Sequence, residues 1–251
     1  MFTQRMTLRM LIRCILTPQR TLQQLGRRFI TLRNKLAVAT QAGETLQQAS
    51  EAFWLRSSFT YLASPEYYDR RERLLTEVLT ALPPPNRVID IGCGDGRFTC
   101  LFARFAASVE GYDLSPALVD QARKRAQAAG LDNVFFSVCE LDDLPQDSQV
   151  DLLTCMGVSS CLTDESKYAR LLNRITALVR PGGRLIMIDS LTKGQSRYSA
   201  SDNGYVARYR NDAEYRQSLR DRGFVIDREI DIQAMGHNTN WLLLLTKKEG
   251  R

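Results

Sequence analysis

Apolar residues recur along this chain with two different periods. Phe2, Met6, Met10, Leu11 and Ile15, then Leu22, Leu25, Phe29, Leu32 and Leu36, return every three or four positions. That spacing predicts two amphipathic helices, with a break and a new start at Pro18. From residue 88 onward, short apolar runs of strand length alternate with helical stretches. The strands are expected at 88–91, 108–112, 134–138, about 225–231 and about 241–247, and the helices at about 97–107, 116–129, 164–180 and 211–222. Such an alternation predicts an α/β chain with a doubly wound, mostly parallel sheet and an N-terminal helical extension.

The first strand, Val88-Ile89-Asp90-Ile91, runs straight into Gly92-Cys93-Gly94-Asp95-Gly96, and Arg97-Phe98-Thr99 open the next helix. Glycines there let the backbone take conformations closed to a Cβ and bring main-chain N–H groups close to a ligand. Seventeen residues past Gly96, at the end of the second strand, stands Asp113, an acid suited to accept hydrogen bonds from a ribose diol. Strand, glycine turn, helix, strand and acid together point to a nucleotide-type ligand. The pattern Gly92-x-Gly94-x-Gly96 lacks the third-position glycine or alanine of a dinucleotide fingerprint, which disfavours a dehydrogenase.

With Asp90 two residues before the first glycine, the stretch resembles motif I of the class I S-adenosylmethionine-dependent methyltransferases, and the resemblance continues in order to about residue 247. It implies a seven-stranded Rossmann-like sheet whose last strand is antiparallel and lies between its neighbours. It implies S-adenosylmethionine as cofactor, held by Asp90, Gly92, Cys93, Gly94, Gly96, Asp113 and Leu114. Cys139-Glu140-Leu141-Asp142 resembles the segment that clasps adenine, with Glu140 standing where an aspartate is more usual and Leu141 offering its backbone N–H. Met156 falls in the loop beneath the methionine portion, and Arg180-Pro181-Gly182-Gly183 resembles the turn into strand five. No Asn/Asp-Pro-Pro-Tyr/Phe motif follows strand four, where the chain reads Cys155-Met156-Gly157-Val158, so amino methylation of a nucleic-acid base is disfavoured.

A length of 251 residues with 44% hydrophobic content suffices for one large core. No apolar run approaches the ~20 residues that span a bilayer. Cysteines at 14, 93, 100, 139, 155 and 161 form no CxxC pair, and His237 is the single histidine, so no metal site is expected and the cysteines read as reduced residues of a cytoplasmic protein.

Charge is unevenly spread. Residues 1–43 hold Arg5, Arg9, Arg13, Arg20, Arg27, Arg28, Arg33 and Lys35, and the first acid is Glu44. Removing those eight from 34 basic residues leaves 26 against 28 acids, a remainder of −2. The chain therefore divides into a basic helical arm (1–43), a helical cap segment (44–86) and a catalytic domain (87–251). The arm fits packing on the domain, self-association, or attachment to an anionic membrane at its cytoplasmic face; a transit peptide or a nucleic-acid arm also matches its composition.

The acceptor leaves fainter marks. The resemblance implies that the cap segment covers the cofactor, which makes Tyr61, Tyr68 and Arg70 candidates to meet its carboxylate or the acceptor. An insert after strand five, Lys193 to Arg210, is rich in tyrosine and arginine and suits a lid over a polar or anionic molecule. His237, Tyr205 and Tyr209 are the candidate catalytic groups, with Asp189 behind them. The reading is methyl transfer to a small molecule or glycoconjugate, with oxygen favoured. N-methylation, RNA or protein methylation, and a non-catalytic binding module of the same fold are the alternatives.

Overall fold

The structure is a computed structural model that describes residues 18–40, 43–58, 62–146 and 149–249. The expected helix before Pro18, most of the arm's first basic residues and Tyr61 lie outside the described residues. Three helices come first: α1 (Pro18–Ala39), α2 (Gly43–Arg56) and α3 (Pro65–Ala81). Then follow β1 (Arg87–Ile91), α4 (Arg97–Phe102), β2 (Ser108–Asp113), α5 (Pro116–Ala128), β3 (Val134–Val138), β4 (Val150–Met156), α6 (Glu165–Leu178) and β5 (Val179–Thr192). A hairpin of β6 (Arg197–Ala200) and β7 (Val206–Tyr209) precedes α7 (Asp212–Arg220), β8 (Phe224–Met235) and β9 (Asn238–Lys247).

Seven strands form one sheet in the order β3-β2-β1-β4-β5-β9-β8. β9 runs antiparallel between β5 and β8, as the family resemblance implied. Both sheet faces are covered, so successive residues of the apolar strands enter opposite cores. Val88, Leu152, Ile186 and Leu242 pack with Leu75 and Leu79 of α3, Phe102 of α4 and Val119 of α5. Their neighbours Ile89, Leu153, Leu185 and Leu243 pack with Leu171 and Ile175 of α6 and Leu219 of α7. Caps fix where the helices begin: Ser115, Asp164 and Asn211 accept the N–H groups of Leu118, Lys167 and Glu214.

Three elements depart from expectation. α4 stops at Phe102, five residues early, because the Asn133 amide takes the carbonyls of Ala103 and Ala106 and turns the chain into β2. β5 starts at Val179, and the Pro181-Gly182-Gly183 step is absorbed as a register shift against β4. The insert is a two-stranded hairpin, against which α1 and α2 bury Ala37, Leu46 and Ala49 around Val206.

β1 is flanked by β2 on one side and β4 on the other, so the chain leaves its carboxyl end in opposite directions. A crevice opens at such a switch point.

Candidate active site

The turn after β1 is held by its glycines. Gly92, Gly94 and Gly96 have φ of 73°, 56° and 76°, a region that a side chain disfavours. A Cβ on Gly92 would stand 2.2 Å from Val158 Cγ2, and one on Gly96 would stand 2.8 Å from Ala122 Cβ. Gly92 therefore lets the loops after β1 and β4 meet, whereas Gly96 lets α5 close against the start of α4.

Asp113 closes the turn from β2. Its Oδ2 accepts the Gly94 N–H and its Oδ1 the Ser115 N–H, both at 2.9 Å. Burial pushes this carboxyl up and the two backbone donors pull against it. Each oxygen retains acceptor capacity for a diol. Asp90 is 1% exposed and receives the hydroxyls of Thr99 and Thr154, each at 2.6 Å. It thereby ties β1 to α4 and β4. Burial raises its pKa to about 6, against the pull of both threonines.

A cavity of about 550 Å³ lies over these strand ends. Asp90, Gly92, Cys93, Gly94 and Asp113 border it, and so do Leu114, Glu140, Leu141 and Met156. The structure thus brings together every expected cofactor residue except Gly96, which packs beneath the turn. Glu140 is exposed at the head of a single 3-10 turn, Leu141–Asp143, at the β3 side of the sheet.

At the opposite side of the glycine turn the structure supplies a residue that the sequence reading missed. Arg70 faces outward and donates to the Asp231 carbonyl at 3.2 Å. Its neighbour Arg71 is 8% exposed and borders the cavity. The Arg71 guanidinium stands 4.5 Å from the Phe98 ring centre and 5.7 Å from those of Tyr67 and Tyr68. Its Nε has no hydrogen-bond partner, and no carboxylate of the described residues is in ion-pair range. Burial pulls its pKa below the ordinary value. A guanidinium stays charged even so, leaving a buried cation at the cavity wall that feels the charges of Asp90 and Asp189 without an ion-pair contact to either.

The β5 side of the cavity is aromatic. Trp54 and Phe53 of α2 meet Tyr205 edge to face, with ring centres 6.1 and 5.6 Å apart. The Trp54 indole N–H points at Cys161 Sγ at 3.1 Å. Tyr205 and Tyr209 border the cavity as expected. Burial drives both phenols up, Tyr205 the more strongly with Cys161 and Tyr209 beside it. They are therefore hydroxyl donors at neutral pH rather than bases.

Two expectations about this end are corrected. The arginines of the insert do not face the cavity: Arg210 binds the Ser159 and Leu162 carbonyls and Glu165, while Arg208 binds Tyr198 and Glu165. Arg197 caps the Tyr209 ring and donates to Asn238. The lid consequently shows tyrosine, not positive charge. His237 lies outside the cavity as well, exposed in the two-residue turn Gly236-His237, because β8 and β9 each run farther than expected.

Asp189 takes up the place left at this end. It is 3% exposed on β5, borders the cavity, and accepts the Tyr215 hydroxyl through Oδ2 at 2.6 Å. Its Oδ1 has no partner in hydrogen-bond geometry. Burial raises the pKa to about 6, against the pull of the Tyr215 hydroxyl.

Residues 88–183 match the family described as "Methyltransferase domain". Among curated relatives, a ubiquinone biosynthesis O-methyltransferase of Coxiella burnetii (strain Dugway 5J108-111) is 33% identical over 99 residues, 39% of this chain and 41% of that protein. A trans-aconitate 2-methyltransferase of Methylobacterium radiotolerans is 35% identical over 137 residues, 52% of this chain and 50% of that protein. The chain spans about half, or less, of the length of these relatives. Among solved structures, a geranyl diphosphate C-methyltransferase from Streptomyces coelicolor A3(2) superposes with a TM-score of 0.63 at 17% identity, covering 80% of this chain and 98% of that one. An N-methyltransferase from Bradyrhizobium japonicum WM9 in complex with S-adenosylhomocysteine gives 0.63 at 15%, covering 81% and 99%. Likeness at such identities establishes the shared fold.

Proposed function

We propose, from the premise that residues 88–183 form a methyltransferase domain of the class I S-adenosylmethionine-dependent family, that this chain methylates an oxygen of a small, mainly apolar acceptor. The carrying observation is a single cavity that joins the glycine turn and Asp113 to an aromatic chamber under Tyr205.

The residues fit S-adenosylmethionine in three ways. Asp113 offers a backbone-fixed carboxylate to a ribose, with Glu140 and Leu141 beyond it for the base. Arg71, in ion-pair contact with no carboxylate among the described residues, suits the carboxylate of the amino-acid end. Bound there, the cofactor supplies a methyl group on a cationic sulfur. Trp54 and Tyr205 would pack an acceptor and exclude water, and alignment in a dry chamber is the larger part of such catalysis. The Asp189 carboxylate, ionised above about pH 6, is the group we assign to take the hydroxyl proton.

An apolar acceptor is supported by what the chamber shows. Among the described cavity cations, Arg97 pairs with Asp69 and Glu72, Lys167 with Glu51 and Arg170 with Asp142. Exposed Leu55, Leu62 and Met235 stand at the rim. The similar Coxiella burnetii protein, named as an O-methyltransferase of ubiquinone biosynthesis, lends weight to oxygen. Transfer of labelled methyl to a panel of hydrophobic phenols, amines, carboxylates and glycosides tests this. Phenols should lead; turnover of amines or glycosides alone would overturn the acceptor reading.

No helix among the described residues is long and apolar enough to cross a membrane. We further propose that the basic arm meets either an anionic membrane surface or a second copy of the chain, in the cytoplasm.

A further inference from the structure

We propose that α1 is a membrane-docking helix that lays Phe29, Leu32 and Leu36 onto an anionic phospholipid surface. These three side chains are 70%, 67% and 64% exposed. Their spacing of three and four residues puts them on one face of the helix. The inner face is already engaged: Asn34 and Ala37 are 1% and 6% exposed, Ala37 packs with Leu46, Ala49 and Val206, and Thr31 donates to the Asp202 carbonyl. The outer stripe is thus a second apolar face on a docked helix, with none of the described residues covering it.

Charge selects the occupant. The stripe sits in a segment, residues 1–43, with eight cations and no acid, while the remainder of the chain carries −2. A second copy meeting stripe to stripe would bring two such cationic segments together in one interface. An anionic bilayer instead offers phosphates to the arginines and an apolar interior to the stripe. Docking also has a consequence for the site. α1 rests on the β6–β7 hairpin, the element that carries Tyr205 and Tyr209 into the cavity, so the lid would lie beside the lipid.

The test uses the full chain in density-gradient flotation with vesicles of phosphatidylcholine, alone or mixed with phosphatidylglycerol. It reads binding without turnover, so its outcome is independent of the methyl-transfer reading. The wild-type chain should float with the mixed vesicles only, and should be released by high salt. The triple variant F29S/L32S/L36S should bind about tenfold more weakly or worse, given how much apolar burial contributes to interfacial binding. Unchanged thermal unfolding serves as the control for its fold. Failure of the wild type to bind mixed vesicles, or equal binding by the variant, overturns the proposal. A wild-type dimer in sedimentation that the variant breaks would also overturn it, and would assign the stripe to a second copy.

Discussion

Replacing Arg71 with methionine should weaken the ligand and leave the fold intact or firmer, two effects that rarely accompany loss of an arginine. The guanidinium is buried among Phe98, Tyr67 and Tyr68 and has no carboxylate partner among the described residues. Taking such an ion out of water costs several kcal/mol. Three ring contacts at 4.5, 5.7 and 5.7 Å, at about 0.5–2 kcal/mol each, and the more distant charges of Asp90 and Asp189 offset much of that, so the charge adds little net stability. A methionine keeps sulfur–aromatic contact without the charge, so unfolding free energy should stay level or rise by about 1–3 kcal/mol. On the ligand side, hydrogen bonds from a charged donor are worth about 1.5–3 kcal/mol, which is roughly 10- to 150-fold in affinity. Calorimetric titration with S-adenosylhomocysteine reads that loss. Titration with 5′-methylthioadenosine, which has the nucleoside but no amino acid, should give equal affinities for wild type and variant. Unchanged S-adenosylhomocysteine affinity, or an equal loss for both ligands, would refute a carboxylate anchor at Arg71. A drop in stability beyond about 2 kcal/mol would show that the charge serves the fold.

Other positions give different signatures. Asp113→Ala should weaken S-adenosylhomocysteine and 5′-methylthioadenosine alike, by about 1.5–3 kcal/mol, since its carboxylate faces the part they share; calorimetry with both ligands checks this. Gly92→Ala places a residue with φ near +73° at about 1–2 kcal/mol of backbone strain and drives a methyl into Val158. Adding Val158→Ala should restore part of the lost ligand affinity and little of the lost stability, as measured by titration and denaturation. Asp90 and Asp189, with folded pKa values of about 6 against an ordinary 3.8, bind protons more tightly folded than unfolded. Stability should therefore fall as pH rises from about 4 to 6 and level off above, by on the order of 3 kcal/mol for each. Asp90→Asn should remove its share of that slope in urea titrations across the window, and an unaltered slope would contradict the burial argument. Asp189→Asn should lower kcat with S-adenosylhomocysteine affinity unchanged; a loss of affinity alone would deny it the proton.

The cofactor end was legible because its chemistry is local in sequence. Gly92 to Gly96 and Asp113 belong to one strand-turn-helix-strand unit, so their spacing already fixes their geometry. Glu140 and Leu141 follow from the next repeat of that unit. The acceptor end is assembled from distant pieces, with Trp54 from α2, Asp189 from β5 and Tyr205 from the hairpin, and no spacing rule joins them. Arg71 could have been found, because Tyr68, Arg71, Leu75 and Val78 form a helical stripe whose other members are apolar; a charge on such a stripe is either misplaced or aimed at a ligand. His237 misled through its intrinsic pKa, although Gly236-His237 between two alternating runs is itself a two-residue hairpin signal. The insert's arginines misled for a related reason, since composition does not reveal that Glu165 and two carbonyls already hold Arg210.

If the cavity over Gly92 and Asp113 holds S-adenosylmethionine, the full chain should bind it unaided. Titration of the full chain with S-adenosylmethionine and S-adenosylhomocysteine, with NAD and NADP alongside, tests it most directly. Both sulfur nucleosides should bind at micromolar concentrations and neither dinucleotide should bind. Absence of sulfur-nucleoside binding, or binding of NAD in its place, would contradict this reading of the cavity.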